Sequence, residues 1–203
     1  MTSTDPHRRT RREHATMTNP TSATHLDAVE ARRNWERSAD AWDQRHRLIR
    51  PDDWAKPTPC AAWDVRALVE HTIATQARYG RLLGYDMGTD EGWATVRTRF
   101  AAGLAADAEL PTGTLVHVAI GETTRLYVLG IVTNDLLVHT WDLARSIGAD
   151  ETLPPDAVEA SLTIVERAPA SVVRQPAVWG DRLPVEPGAD LQTRLLAAVG
   201  RSA

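Results

Sequence analysis

The sequence predicts an all-α fold, most simply a four-helix bundle with short additions. Apolar residues recur at three- and four-residue spacing over several long stretches, capping and stop residues punctuate those stretches, and only one short run has strand character. A chain of 203 residues has room for one domain with a core that needs no disulfide or structural metal, and residues 25–203 are expected to form it. Residues 1–24, "MTSTDPHRRTRREHATMTNPTSAT", are almost devoid of apolar side chains and read as a disordered tail, with Met17 an alternative start.

The first helix is expected over Leu26–His46, where Leu26, Val29, Trp35, Ala39 and Trp42 recur with helical spacing between charges. "RLIRPDDWAKPTPCAAW" follows with three prolines and no lasting period, so it reads as a loop, with Trp54 as its anchor. Asp64 is a good N-cap, and Trp63 before it can pack on Leu68 as a hydrophobic staple. The second helix therefore starts at Val65 and runs to about Leu83, where Gly84 stops it. Trp93, Val96, Phe100 and Leu104 make the inward stripe of a third, over about Trp93 to Ala106. "LPTGTLVHVAIGE" reads as a turn and a short extended run. The fourth helix starts near Thr124 and ends at Ile147 before Gly148; Leu126 to Val132 are apolar almost all round, which makes it the central one. Pro154 and Pro155 open a fifth, "PDAVEASLTIVERA", and "LQTRLLAAVG" is a short last helix after the irregular "PVEPGAD".

Composition narrows the function classes. A formal net charge of -4 and a pI near 6.0 argue against a nucleic-acid groove or an anionic membrane surface. Cys60 is the only cysteine, which excludes an intrachain disulfide and thiolate-rich zinc sites and fits a reducing cytoplasm. There is no apolar run of the roughly 20 residues that cross a bilayer, and no secretory signal is evident. A small-molecule substrate or a protein contact remains, and the tryptophans leave a homodimer face open.

The polar residues on apolar faces carry the chemistry. In "NDLLVHTWDLARSIG", Asp135, His139 and Asp142 fall at i, i+4 and i+7, on one stripe with Val128 and Ile131. A carboxylate there is costly unless paired or metal-bound. On the second helix, Leu68, His71, Thr75 and Arg78 share an edge, so His71 is a third candidate. Two histidines and one carboxylate are a recurrent ligand set for a catalytic divalent ion, with positions left open for water or substrate. Spacing also leaves a plainer reading open, a buried polar network without a metal.

Geometry sets a condition on the metal reading. At 1.5 Å per residue, His71 sits about 9 Å into its helix and His139 about 23 Å into its own, about 12 Å from the far end. The two levels match only if the helices run antiparallel, which requires a long crossover, for which the residues between Gly84 and Gly92 are available. Asp142 either orients His139 from behind or pairs with Arg145 or Arg66 at the surface. Trp141 reads as packing. Cys60, eleven residues before His71 across a helix start, is expected to be a buried hydrophobe away from the trio. His117 and Glu122 lie in irregular sequence with no role assigned.

"PTPCAAWDVRALVEH" and "NDLLVHTWDLARSIG" closely resemble the two signature segments of actinobacterial DinB-like metal-binding proteins related to mycothiol-dependent maleylpyruvate isomerase, and "LPVEPGADLQTRLLAAVGR" resembles the tail of the smaller members. The resemblance spans about Leu26 to Arg201. It implies a DinB-like bundle of up-down-down-up topology and a divalent ion, zinc in the isomerase, held here by His71, Asp135 and His139; Ni²⁺, Mn²⁺ or Fe²⁺ are the other candidates. It further implies mycothiol as cosubstrate and thiol transfer or thiol-assisted isomerisation of a small electrophile. Two alternatives stand beside this: a non-catalytic metal- or small-molecule-binding protein of stress or detoxification, and a metal-dependent hydrolase. This chain departs from the isomerase in having Asp135 where the isomerase has glutamate, and in having too few residues after Gly148 for the isomerase's further domain.

Overall fold

A computed structural model describes residues 28–89, 92–110, 115–118, 121–168 and 180–202. The expected disordered tail, the choice between Met1 and Met17, and Trp179 lie outside the described residues. The chain is mainly helical, as its periodicity predicts: α1 spans Ala28–His46, α2 Val65–Leu82, α3 Trp93–Ala106, α4 Arg125–Ile147, α5 Pro155–Arg167 and α6 Leu191–Ala198. Between α3 and α4, where one extended run was expected, β1 (Leu115–Val118) and β2 (Gly121–Thr124) pair antiparallel, Leu115 opposite Thr124. Among the described residues, no helix is long and apolar enough to cross a membrane.

Capping residues fix the helix bounds. The Asp64 carboxylate accepts from the Ala67 N–H at 2.8 Å and starts α2 at Val65. Thr124 does the same for α4 through the Tyr127 N–H at 3.1 Å. Gly148 ends α4 at φ +71°, a left-handed conformation that costs other residues strain. The loop before α2 contains a single 3₁₀ turn, Pro51–Asp53, and the Asp53 carboxylate accepts from the Arg50 N–H at 2.8 Å.

Two apolar clusters share α4. One joins α1, α2, α3 and α4 around Trp35, Trp42, Leu68, Phe100 and Leu129; the other joins α4, α5 and α6 around Leu137, Trp141, Leu162 and Leu195. Helix α4 is buried nearly all round, as its composition predicts. Trp35, Trp42, Trp93 and Trp141 are buried, which removes them from any dimer face.

Polar pairings give the helix directions. Along α2 and α4, His71 lies beside Asp135, the Gln76 side chain donates to the Val132 carbonyl at 3.0 Å, and Arg125 donates to the Leu83 carbonyl at 2.6 Å, so the two helices run antiparallel. Arg32 near the start of α1 donates to the Leu104 carbonyl at 3.1 Å near the end of α3, and Asp43 accepts from the Trp93 indole at 2.9 Å, so α1 and α3 are antiparallel too. Arg45, near the end of α1, donates to the carbonyls of Asp150 and Thr152 just past α4 at 3.1 and 2.8 Å, while early residues of both helices, Ala31 and Gly130, line one small cavity. Helices α1 and α4 therefore run together. It follows that α2 and α3 share a direction, and the chain returns between them through residues 83–92, of which 90 and 91 lie outside the described residues.

Candidate functional site

The antiparallel match brings His71 of α2 to the level of Asp135 and His139 of α4, the level that helical rise predicts. One donor atom from each lies within 4.8 Å of the others. Both histidines turn Nε2 toward Asp135 Oδ1, at 3.5 Å from His71 and 3.6 Å from His139, and the two imidazole rings stand nearly perpendicular with centroids 5.1 Å apart. Thr75 Oγ1, one turn after His71, lies 3.3 Å from the same Nε2. The second oxygen of Asp135 is buried without a hydrogen-bond partner.

Behind His139 lies a second layer of polar groups. Its Nδ1 is 2.9 Å from Asp142 Oδ2, and Asp142 is completely buried. Arg201, after α6, donates Nε to Asp142 Oδ1 at 3.1 Å and Nη2 to Oδ2 at 2.9 Å. Arg145 instead pairs with Glu151 at 2.8 Å, and Arg66 lies over the Trp54 ring. Burial works against a charged His139, but Asp135, Asp142 and Cys60 outweigh it and push its pKa up to about 10. Burial also disfavours a charged Asp142 and so raises its pKa, but the bonds from His139 and Arg201 prevail and hold the carboxyl below its ordinary range.

Cys60 corrects the expectation that it lies apart. Its Sγ donates to Asp142 Oδ2 at 3.4 Å and accepts from Arg201 at 3.0 Å. The cause is a tight turn before α2, where the Trp63 N–H donates to the Cys60 carbonyl at 2.8 Å and the Val65 N–H to the Lys56 carbonyl at 3.0 Å, folding the loop back over the helix start. The same turn lays the Trp63 ring against His71 and His139, with centroids 4.4 and 5.7 Å away. Spacing suggested only a staple for Trp63; its place as a wall of the site was not legible.

Cys60, His139 and Asp142 form a second group with metal-ligand chemistry, their donor atoms also within 4.8 Å. There the guanidinium of Arg201 already contacts both Asp142 oxygens and the sulfur, so a cation is supplied by the chain itself. His117 and Glu122 are paired backbone positions of β1 and β2.

Comparison with known proteins matches residues 35–92 to the mycothiol maleylpyruvate isomerase N-terminal domain. Two uncharacterized proteins from two strains of Mycobacterium tuberculosis are each 30% identical to this chain over 138 residues, covering 61% of it and 71% of their own length. No solved structure matches.

Proposed function

We propose that this chain, which belongs to the mycothiol maleylpyruvate isomerase N-terminal domain family, is a divalent-metal-dependent enzyme in which His71, Asp135 and His139 hold the ion. In this reading α1 to α4 are the four helices of a DinB-like bundle of up-down-down-up order, a reading supported by the shared direction of α1 with α4 and of α2 with α3.

One observation carries the metal assignment. Asp135 keeps one oxygen buried and unpartnered while two imidazole nitrogens approach the other at 3.5 and 3.6 Å. Those separations are long for hydrogen bonds, which centre near 2.9–3.0 Å for N–H···O. They lie close to the ~3.3–3.5 Å between neighbouring ligands of one tetrahedral ion with bonds of about 2.0–2.1 Å. The donor set of two imidazoles and a carboxylate suits zinc first and also accepts Ni²⁺, Mn²⁺ or Fe²⁺.

A divalent ion held by His71, Asp135 and His139 would supply Lewis acidity, which favours the thiolate form of a thiol at neutral pH. The protein's own groups do the rest. Asp142 accepts the Nδ1 proton of His139 and so turns Nε2 toward the site as the nitrogen that would give up its proton to hold an ion. Trp63 covers the two imidazole rings and excludes water from that side. The thiol is mycothiol by the family's description, and the reaction is thiol transfer to, or thiol-assisted isomerisation of, a small electrophile.

The test is elemental analysis of untagged protein purified without chelator, beside Asp135→Ala and His139→Ala, followed by thiol consumption with electrophile panels. The expected result is about one divalent ion per chain, lost in both variants together with thiol reactivity. Folded protein that takes up no ion, or an ion that leaves thiol reactivity unchanged, overturns the proposal. A second reading, a non-catalytic binding protein, is favoured by one feature: Asp142 and Cys60, the acidic groups nearest the trio, are both bonded to Arg201 rather than free to move protons. It predicts metal retention with no turnover of any thiol–electrophile pair.

A further inference from the structure

The last turn of α6 aims one residue at the site. Gly200 adopts φ +79°, the Gly200 N–H donates to the Ala197 carbonyl at 3.2 Å, and the Arg201 N–H donates to the Leu196 carbonyl at 2.8 Å. This is the pattern of a helix closed by a left-handed glycine, which reverses the chain. A Cβ on Gly200 would also lie 2.7 Å from the Gly180 backbone, so no larger residue fits the turn. Arg201 is thereby directed onto Asp142, with 12% of its side chain exposed.

We propose that Arg201 is a positioning residue for the ion-binding trio, acting through Asp142 on the ring of His139; this rests on the metal reading above. An imidazole can present either nitrogen, and the hydrogen bond made by one decides which remains for a ligand. Asp142 makes that choice by taking Nδ1 at 2.9 Å, which turns Nε2 to Asp135 and His71. A fully buried carboxylate is costly to keep ionised unless it is paired and hydrogen-bonded, and a partner that contacts both oxygens also fixes its plane. Arg201 does so with two prongs, Nε to Oδ1 and Nη2 to Oδ2. A lysine at this place would bring the charge without the fork. A further contact of the guanidinium, to Cys60 Sγ at 3.0 Å, ties the loop before α2 to the same point.

The full chain, stripped of metal, is titrated with Zn²⁺ against a chelating dye and with Co²⁺ by visible absorption, for wild type, Arg201→Met and Arg201→Lys, with thermal unfolding of each. Arg201→Met is expected to bind Zn²⁺ about ten- to hundredfold more weakly, the range for residues that support a metal-bound histidine. Its Co²⁺ band should change in position and intensity, and Arg201→Lys should restore part of both. A staple that merely held α6 in place would lower the unfolding temperature without altering the Co²⁺ band. A folded Arg201→Met with wild-type affinity and spectrum overturns the proposal. If Arg201→Met does not fold, Arg201→Lys and Asp142→Asn decide it: weakened binding with an altered band supports it, and unchanged binding in both overturns it. Wild type that binds neither ion refutes the metal reading itself, whereas wild-type binding with unaltered variants refutes only the role of Arg201.

Discussion

Gln76 holds α2 at the level on α4 where His71 meets Asp135 and His139, and replacing it with leucine tests that role. The Gln76 side chain is completely buried; its Oε1 accepts from the Trp35 indole at 3.0 Å, and its Nε2 donates to the Val132 carbonyl at 3.0 Å. Gln76→Leu leaves the indole N–H of Trp35, a residue only 1% exposed, without that acceptor. That costs about 1–3 kcal/mol, and the lost bond to Val132 adds about 0.5–1.5, since that carbonyl keeps its helical partner. The extra apolar burial of leucine offsets part, so a net loss of about 2–3 kcal/mol is expected. For a chain of this size that lowers the unfolding midpoint by about 4–12 °C. Trp35→Phe orphans the glutamine oxygen in the same way, whereas the double variant leaves neither group exposed to the penalty. Chemical denaturation of all four proteins should therefore give a coupling energy of about 1–3 kcal/mol. Additivity within about 0.5 kcal/mol would show that the Trp35–Gln76 bond does not set the packing of α2.

Asp135→Glu should keep one ion per chain, because the longer carboxylate still reaches the histidines, while Asp135→Asn should lose most of it; equal metal content in Asn and wild type would remove Asp135 from the ligand set. Gly103→Ala in α3 should destabilise by about 1–3 kcal/mol despite the helix preference of alanine, because the new Cβ would lie 2.3 Å from the Tyr85 ring, which has no flexible end to yield; a rise in the unfolding midpoint would contradict the packing. Burial raises the Asp107 carboxyl pKa, but bonds from Arg125 at 2.7 Å and Tyr85 at 2.8 Å outweigh it and leave it lowered. Its contribution is then complete above the unfolded value of about 3.9 and is lost as pH falls through the lower folded value. Denaturation below about pH 4 should show a shallower pH slope in Asp107→Asn than in wild type, and equal slopes would sink this assignment.

The local part of this fold was legible in the sequence, and the reason is that helix bounds are local chemistry. Asp64, Thr124 and Gly148 announce their caps by identity alone, and the apolar stretch 126–132 gives away the central helix. The two-stranded sheet was half legible: the apolar run was visible, but its partner Gly121–Thr124 has no apolar residue to mark it as a strand. The meeting of His71 with α4 could be reasoned from rise per residue once an antiparallel order was supposed. Arg201 could not. Asp142 needs a cation, and spacing offers Arg145 and Arg66, yet the partner lies 59 positions away at the end of a helix packed on a different cluster. Cys60 and Trp63 were missed for a related cause, since a turn built from loop backbone bonds has no period to read.

The placement of the trio also bears on how the chain assembles. Asp135 and His139 belong to one helix, so their side chains are neighbours as soon as that helix exists, which takes on the order of a microsecond. His71 joins them only when a long loop closes, and the bond between Cys60 and Arg201 closes across 141 residues. Loop-closure entropy grows only slowly with length, but the search for such distant contacts is what slows folding. Asp135 and His139 are thus a local pair, whereas His71 and Arg201 reach the site only through contacts distant in sequence, so a complete site requires both α2 and the residues after α6 to be packed in place.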